Sequence, residues 1–198
     1  MLEVGQGFSH QIERAGHAHR FGREKLLDEF DGEPLVRRSL NIARSVLHGN
    51  SWLVTGHSAN DIEEAARGLA GHVLYNPDYA QGMGSSIACG ATACSDRADA
   101  IVIMLADQPL ISRSHLANLI SAWTGDADAI IATEFDDILG PPVLFGRDHF
   151  AELCALRGDT GAKQILKAHA DAISSVRFDP AAVDIDTPGD LARLVSPD

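Results

Sequence analysis

The chain has 198 residues, 45% of them hydrophobic and 22% charged, with a formal net charge of −12. That length suits a single domain over residues 1–198, and the balance of apolar to charged residues is that of a chain with a packed core. The acidic excess excludes a general nucleic-acid surface, which needs a basic stripe, but leaves a nucleotide substrate open, because one cation and a few basic side chains can hold a triphosphate.

In chain order, Met1–His10 lacks a basic region leading into an apolar core, so no secretory signal is expected there. A first central strand is expected before residue 15, yet Ser9–Arg14 is too polar to supply it. Val36, Leu40, Ala43 and Leu47 share a helical face, and Trp52-Leu53-Val54 reads as a short buried strand. Ile62, Ala65, Ala66 and Leu69 repeat the helical spacing, with Asn60 and Glu63 placed as a capping pair. His72–Tyr75 reads as a strand, and Ser85–Cys94 as a helix opened by Gln81-Gly82-Met83-Gly84. A helical stripe of Leu116, Leu119, Ile120 and Trp123 follows, then a buried strand at Ala129–Ala132. Val143-Leu144-Phe145 comes after a Gly140-Pro141-Pro142 bend. Helices are expected over 148–156 and 162–170, strands at 173–178 and 183–186, and a last helix opened by Thr187-Pro188-Gly189-Asp190. Such alternation means a three-layer α/β/α domain, Rossmann-like, with a mainly parallel sheet. No run approaches the roughly 18 apolar residues of a membrane span, so no membrane partner is expected. Cys89, Cys94 and Cys154 are odd in number without metal-type clustering, which fits reduced thiols in a cytoplasmic protein.

The segment Ile101–Pro109 is the most telling. A branched apolar run, read as a strand covered on both faces, stops at Asp107, and Pro109 forbids its continuation. Ligands of open α/β sheets bind beyond the carboxyl ends of the strands, where Asp107 would hold a metal ion or a phosphate; a loop aspartate capping the next helix is the plainer alternative. A second constellation runs from Ala15 to Leu27. Gly16 and Gly22 allow close backbone approach, free amides in such a loop cradle phosphate oxygens, and Arg20 and Lys25 would neutralise charge. It lacks the spacing and terminal Lys-Ser/Thr of a Walker A loop. A solvated Lys25 at a helix start, and Ser85 and Ser86 as helix caps, stand as plain readings. His10, His17 and His19 lack a spaced third ligand and read as exposed loop residues.

Ala-Gly-x-x-x-Arg-Phe-Gly-x-x-Lys-Leu-Leu at 15–27 resembles the signature loop of the MobA/MocA-like nucleotidyltransferases. The likeness continues in order through Asp31-Gly32-Glu33-Pro34-Leu35, Asn76 with Gln81–Ser86, Leu105-Ala106-Asp107-Gln108-Pro109, Gly140–Phe145, Gly158–Ala162 and Asp184–Leu191, covering about residues 15–195. The pattern is most similar to that of molybdenum cofactor cytidylyltransferases. The resemblance implies a nucleotide-diphospho-sugar transferase type of fold and Mg²⁺-dependent transfer of CMP from CTP to the phosphate of molybdopterin, with release of pyrophosphate. It implies phosphate-holding amides at Ala15 and Gly16, charge stabilisation by Arg20 and Lys25, and magnesium on Asp107 and Asp186. Asn76, Gly82, Ser85 and Ser86 would face the nucleotide; Pro141, Pro142, Asp159 and Gly161 would face the acceptor. A molybdoenzyme or chaperone would be the partner receiving the product. Where the family has an apolar strand running into Leu-Ala-Ala-Gly, this chain has Ile12-Glu13-Arg14-Ala15-Gly16. The alternatives are a GTP-using or other phosphometabolite transferase of the same family, or a nucleotide-binding homologue without catalysis.

Overall fold

The structure, a computed structural model, describes residues 2–6, 25–159 and 161–183. Strand β1 is Leu2–Gln6. After the 3-10 turn Lys25–Leu27 comes a small hairpin of β2 (Glu29–Phe30) and β3 (Glu33–Pro34). Asp31 and Gly32 adopt φ of 53° and 77° between them, the left-handed pair that closes a two-residue hairpin. Helix α1 (Leu35–Leu47) buries Leu35, Val36, Leu40, Ala43 and Leu47, the face its spacing predicts. There follow β4 (Ser51–Thr55), α2 (Ala59–Ala65), β5 (His72–Tyr75), α3 (Met83–Cys94), β6 (Ala100–Met104) and α4 (Arg113–Ser121). The chain then forms β7 (Ile130–Phe135), β8 (Ile138–Gly146), α5 (Phe150–Ala155), α6 (Lys163–Ala168) and β9 (Ile173–Arg177). The elements expected beyond residue 183 lie outside the described residues.

One seven-stranded sheet runs in the order β5-β4-β1-β6-β8-β7-β9. Its first four strands are mutually parallel, β8 is antiparallel to both neighbours, and β9 is parallel to β7. Alternate residues of each strand feed opposite faces, as the two-residue period of a strand requires. Trp52, Val54, Ile101, Ile103, Val143 and Phe145 pack with Ile87, Leu153 and Ile165 of α3, α5 and α6. Val102, Met104, Ile131 and Leu144 pack with Ala43, Leu47, Leu116 and Leu119 of α1 and α4. Leu53 joins Leu40 of α1 and Ile62 of α2 on that same face. The result is the three-layer, mainly parallel α/β/α architecture that the alternation of elements predicts.

The first central strand expected before residue 15 is Leu2–Gln6, upstream of the polar Ser9–Arg14, and it pairs with both β4 and β6. Two local expectations are corrected. Asn60 and Glu63 do not form a capping pair: α2 starts after Ser58, which sits at φ 53° without a side-chain cap, and Glu63 instead accepts a hydrogen bond from Thr55 Oγ1 at 3.2 Å. Gly140-Pro141-Pro142 is not a bend before a strand but part of β8 itself. The β7 ladder pairs Ala132 with Val143 and then Thr133 with Gly140, so both prolines fall in the register shift. Having no N–H to give, they occupy the one place where the ladder asks for none.

Gly146, at the end of β8, is packed under the chain that leads into β7. Its N–H donates to the Ala129 carbonyl at 2.8 Å, and a Cβ there would lie 2.7 Å from the Ala127 carbonyl carbon and 2.8 Å from the Asp126 oxygen. Gly146→Ala is therefore expected to cost about 1–3 kcal/mol, the range for overpacking a closed site. Urea denaturation checks this; wild-type stability in the variant would contradict the close approach.

Candidate active site at the carboxyl ends of the strands

The strand order places a topological switch point between β1 and β6: the chain leaves β1 toward β4 and β5 and returns to β6 on the other side of β1. In an open α/β sheet the crevice above such a point is where ligands bind. Asp107 follows the end of β6 by a short turn and stands at that crevice. Lys25, 82 residues earlier, reaches it: Lys25 Nζ donates to Asp107 Oδ2 at 2.7 Å, with the two side chains only 12% and 13% exposed. Asp107 Oδ1 is buried and accepts no hydrogen bond among the described residues.

That half-satisfied carboxylate is the feature that fits a metal ion. A buried acceptor oxygen without a donor is costly, and a carboxylate oxygen is the donor type that hard divalent cations prefer. The carboxylate paired with Asp107 by the sequence reading, Asp186, lies outside the described residues, as do Ala15, Gly16 and Arg20. The described chain leading toward Asp186 is nonetheless tied to the Asp107 loop: Gln108 Nε2 donates to the Ala181 carbonyl at 3.1 Å. Arg38 of α1 fixes the other side of the loop, donating from Nε to the Pro109 carbonyl at 2.6 Å while its guanidinium stands 5.0 Å above the Phe30 ring. Sequence reasoning missed Gln108 and Arg38 as loop anchors, since both act through backbone carbonyls that no side-chain pattern announces.

A second group gathers beyond β4 and β5. Asn76 N–H donates to the Thr55 carbonyl at 2.8 Å, and its buried side-chain amide donates to Ser85 Oγ at 2.9 Å and Ser86 Oγ at 3.0 Å. Asn76 Oδ1 in turn accepts from the Asp78 N–H at 3.0 Å. Three of the four residues expected to face the nucleotide, Asn76, Ser85 and Ser86, thus build one corner at the start of α3. Gly82 (φ 104°) lets this corner meet the loop carrying Asp159: a Cβ on it would come within 2.5 Å of the Gly158 carbonyl carbon and also strike the Asp159 carboxylate. Gly84 N–H donates to the Gly158 carbonyl at 2.8 Å, and Gly161 (φ 53°) sits against Met83 Sδ. The expected nucleotide loop and the expected acceptor loop are therefore in direct contact.

Pro142, one step beyond the Ile103–Val143 pair, brings the proline pair to the same end of the sheet as Asp107. Its carbonyl accepts from Thr133 Oγ1 at 2.8 Å. Because that hydroxyl proton is committed, His115 Nε2 must be the donor in its 2.8 Å contact with Thr133 Oγ1. His115 is buried and stacked on Phe178 with ring centroids 4.3 Å apart.

The MobA-like NTP transferase domain family matches residues 14–173, and the chain belongs to that family. Purine catabolism protein PucB of Bacillus subtilis is 32% identical over 190 residues, which cover 88% of this chain and 89% of that protein. Among solved structures, Rv0371c of Mycobacterium tuberculosis superposes with a TM-score of 0.77 at 26% identity, over 98% of this chain and 97% of that one. The same mycobacterial protein is also known as a complex with manganese, with a TM-score of 0.75 at 24% identity over 98% of this chain and 97% of that one.

Burial pushes the His115 imidazole down to about 4, against about 6.5 in an unfolded chain. The folded state therefore holds this ring neutral, and its stability contribution is complete above about pH 6.5 and lost as the pH falls from there toward 4. Replacing it with a group that does not titrate, His115→Gln, is expected to flatten the fall in Tm between pH 6.5 and 4.5 relative to wild type. Parallel pH curves for the two proteins would contradict it.

Proposed function

We propose that the chain is a cytoplasmic, Mg²⁺-dependent cytidylyltransferase that transfers CMP from CTP to the terminal phosphate of molybdopterin. The observation that carries the reading is the Lys25–Asp107 pair at the switch point, with Asp107 Oδ1 buried and unpartnered among the described residues. In the reaction an oxygen of the acceptor phosphate attacks the α-phosphorus of CTP. The new P–O bond forms as the bond bridging the α- and β-phosphates breaks, and pyrophosphate leaves with that electron pair. The attacking oxygen is already anionic, so no side chain has to remove a proton. What remains for the protein is positioning and neutralisation of charge.

The residues divide that task. Backbone amides near Ala15 and Gly16, with Arg20, receive the triphosphate, and Lys25 supplies a compact positive charge beside it. Asp107 and Asp186 hold the magnesium ion. When bound, that ion supplies Lewis-acid stabilisation of the negative charge on the phosphates. The corner of Asn76, Ser85 and Ser86, opened by Gly82, serves the nucleotide, while Pro141, Pro142, Asp159 and Gly161 face the acceptor. The manganese complex of the mycobacterial relative supports a divalent cation at this kind of fold. The choice of CTP and molybdopterin is supported by the ordered motifs from Ala15 to Leu191. No disulfide joins Cys89, Cys94 and Cys154, which suits a reducing compartment.

Incubating the protein with molybdopterin and CTP, GTP or ATP, with and without Mg²⁺, tests the reading through pyrophosphate release and product mass. A magnesium-dependent product with CTP alone is expected. A product with GTP alone would overturn the base assignment, and transfer to a different phosphorylated acceptor would overturn molybdopterin. A second reading, binding without turnover, is favoured by one observation: the charged Glu13-Arg14 ahead of the loop. An inactive wild type that gains activity when both residues become alanine would support it.

A further inference from the structure

Three metal-ligating side chains converge at the other end of the molecule. His149 ends the 3-10 turn that follows β8, Glu152 lies one turn on in α5, and His169 precedes β9. Gly146 pairs with Ala100, the first residue of β6, and Ile173 pairs with Ile130, the first residue of β7. The group therefore sits at the amino ends of the parallel strands, opposite the end that carries Asp107. One ligand atom from each of the three residues lies within 4.8 Å of the others.

The chemistry of His149 argues for a cation. The residue is 5% exposed, and its Nε2 lies 2.9 Å from the Asp128 carbonyl oxygen. A carbonyl only accepts, so Nε2 must carry a proton, and in the neutral form of such a ring Nδ1 presents a bare lone pair. That atom is buried without a hydrogen-bond partner and faces Glu152 Oε1 at 3.6 Å. A lone pair aimed at a carboxylate is repulsive unless positive charge lies between them. The backbone carbonyl behind Nε2 is the arrangement that orients a metal-bound imidazole. His169 Nε2 approaches the same carboxylate at 2.9 Å and 3.2 Å from its two oxygens. Nitrogen and oxygen ligands at about 2.0–2.1 Å from a tetrahedral zinc ion stand about 3.4 Å apart, a value bracketed by the 2.9 Å and 3.6 Å separations seen here. His169 and Glu152 are partly exposed, at 33% and 45%, so an ion can enter and water can complete its shell.

We propose that His149 Nδ1, Glu152 and His169 Nε2 form a second metal site, for a borderline divalent ion such as Zn²⁺. Two imidazoles and one carboxylate suit zinc better than magnesium. The ion staples the start of α5 to the turn before β9, and it is independent of the nucleotide end.

The test uses the full chain without an affinity tag, stripped of metal and titrated with Co²⁺ and then Zn²⁺ by visible absorption and calorimetry. One equivalent of tight binding is expected, with the intense absorption of tetrahedral cobalt and a rise in Tm with zinc. Asp107→Asn, and separately the combined His10→Gln, His17→Gln and His19→Gln variant, are expected to keep that equivalent. His169→Gln and Glu152→Gln change partly exposed side chains and are expected to weaken binding by at least about tenfold, with circular dichroism unchanged. Unaltered binding in His169→Gln, or no binding beyond that of Asp107, would overturn the proposal. So would a titration in which only protons, and no metal, change the stability of this corner.

Discussion

The contact between Lys25 Nζ and Asp107 Oδ2, at 2.7 Å, holds the functional end of the molecule together. Each partner is nearly buried, and each charge would be costly there alone. Together they fasten the segment that enters α1 to the loop that leaves β6, on either side of the switch point. Arg38 and Gln108 then brace that loop from the hairpin side and from the Ala181 side through backbone carbonyls. The acidic group is thereby held rigid in a place where flexibility would waste binding energy.

A division of labour between sheet and loops follows. The parallel half of the sheet delivers Asp107 and the Asn76 corner to one end, and the antiparallel β8 lifts Pro141 and Pro142 to the same level. Gly82 and Gly84 permit the Asn76 corner and the Asp159 loop to touch backbone to backbone, and Gly161 packs against the Met83 side chain. The amino ends of the strands, by contrast, collect the imidazoles of His149 and His169 around Glu152, a chemistry of a different kind at a different end.

The parts of this arrangement that were legible in the sequence share a physical cause. β6 is five buried residues in a row, and a strand covered on both faces has no choice but to be apolar. The buried face of α1 was equally plain, since a single helical stripe had to meet the sheet. β1 escaped because Leu-Glu-Val-Gly-Gln is short and mixed in polarity, so its position comes from pairing with two neighbours rather than from its own pattern. The proline pair misled because its cost is removed by a register shift in β7, which is a property of the partner strand. Lys25 and Asp107 were nameable from their motifs, but their direct contact spans 82 residues and exists only in the fold. The His149 group is invisible to spacing for the same reason, as His169 comes from a separate element.

The proposed function rests most heavily on Asp107 as a ligand of a divalent cation. The most direct measurement is kcat for nucleotidyl transfer by Asp107→Asn, alongside its dependence on Mg²⁺ concentration. With Asp107 in that role, kcat is expected to fall by about a hundredfold or more, the scale for removing one charge-stabilising group, with the fold intact and half-saturation shifted to higher Mg²⁺. Wild-type turnover at ordinary Mg²⁺ would contradict it.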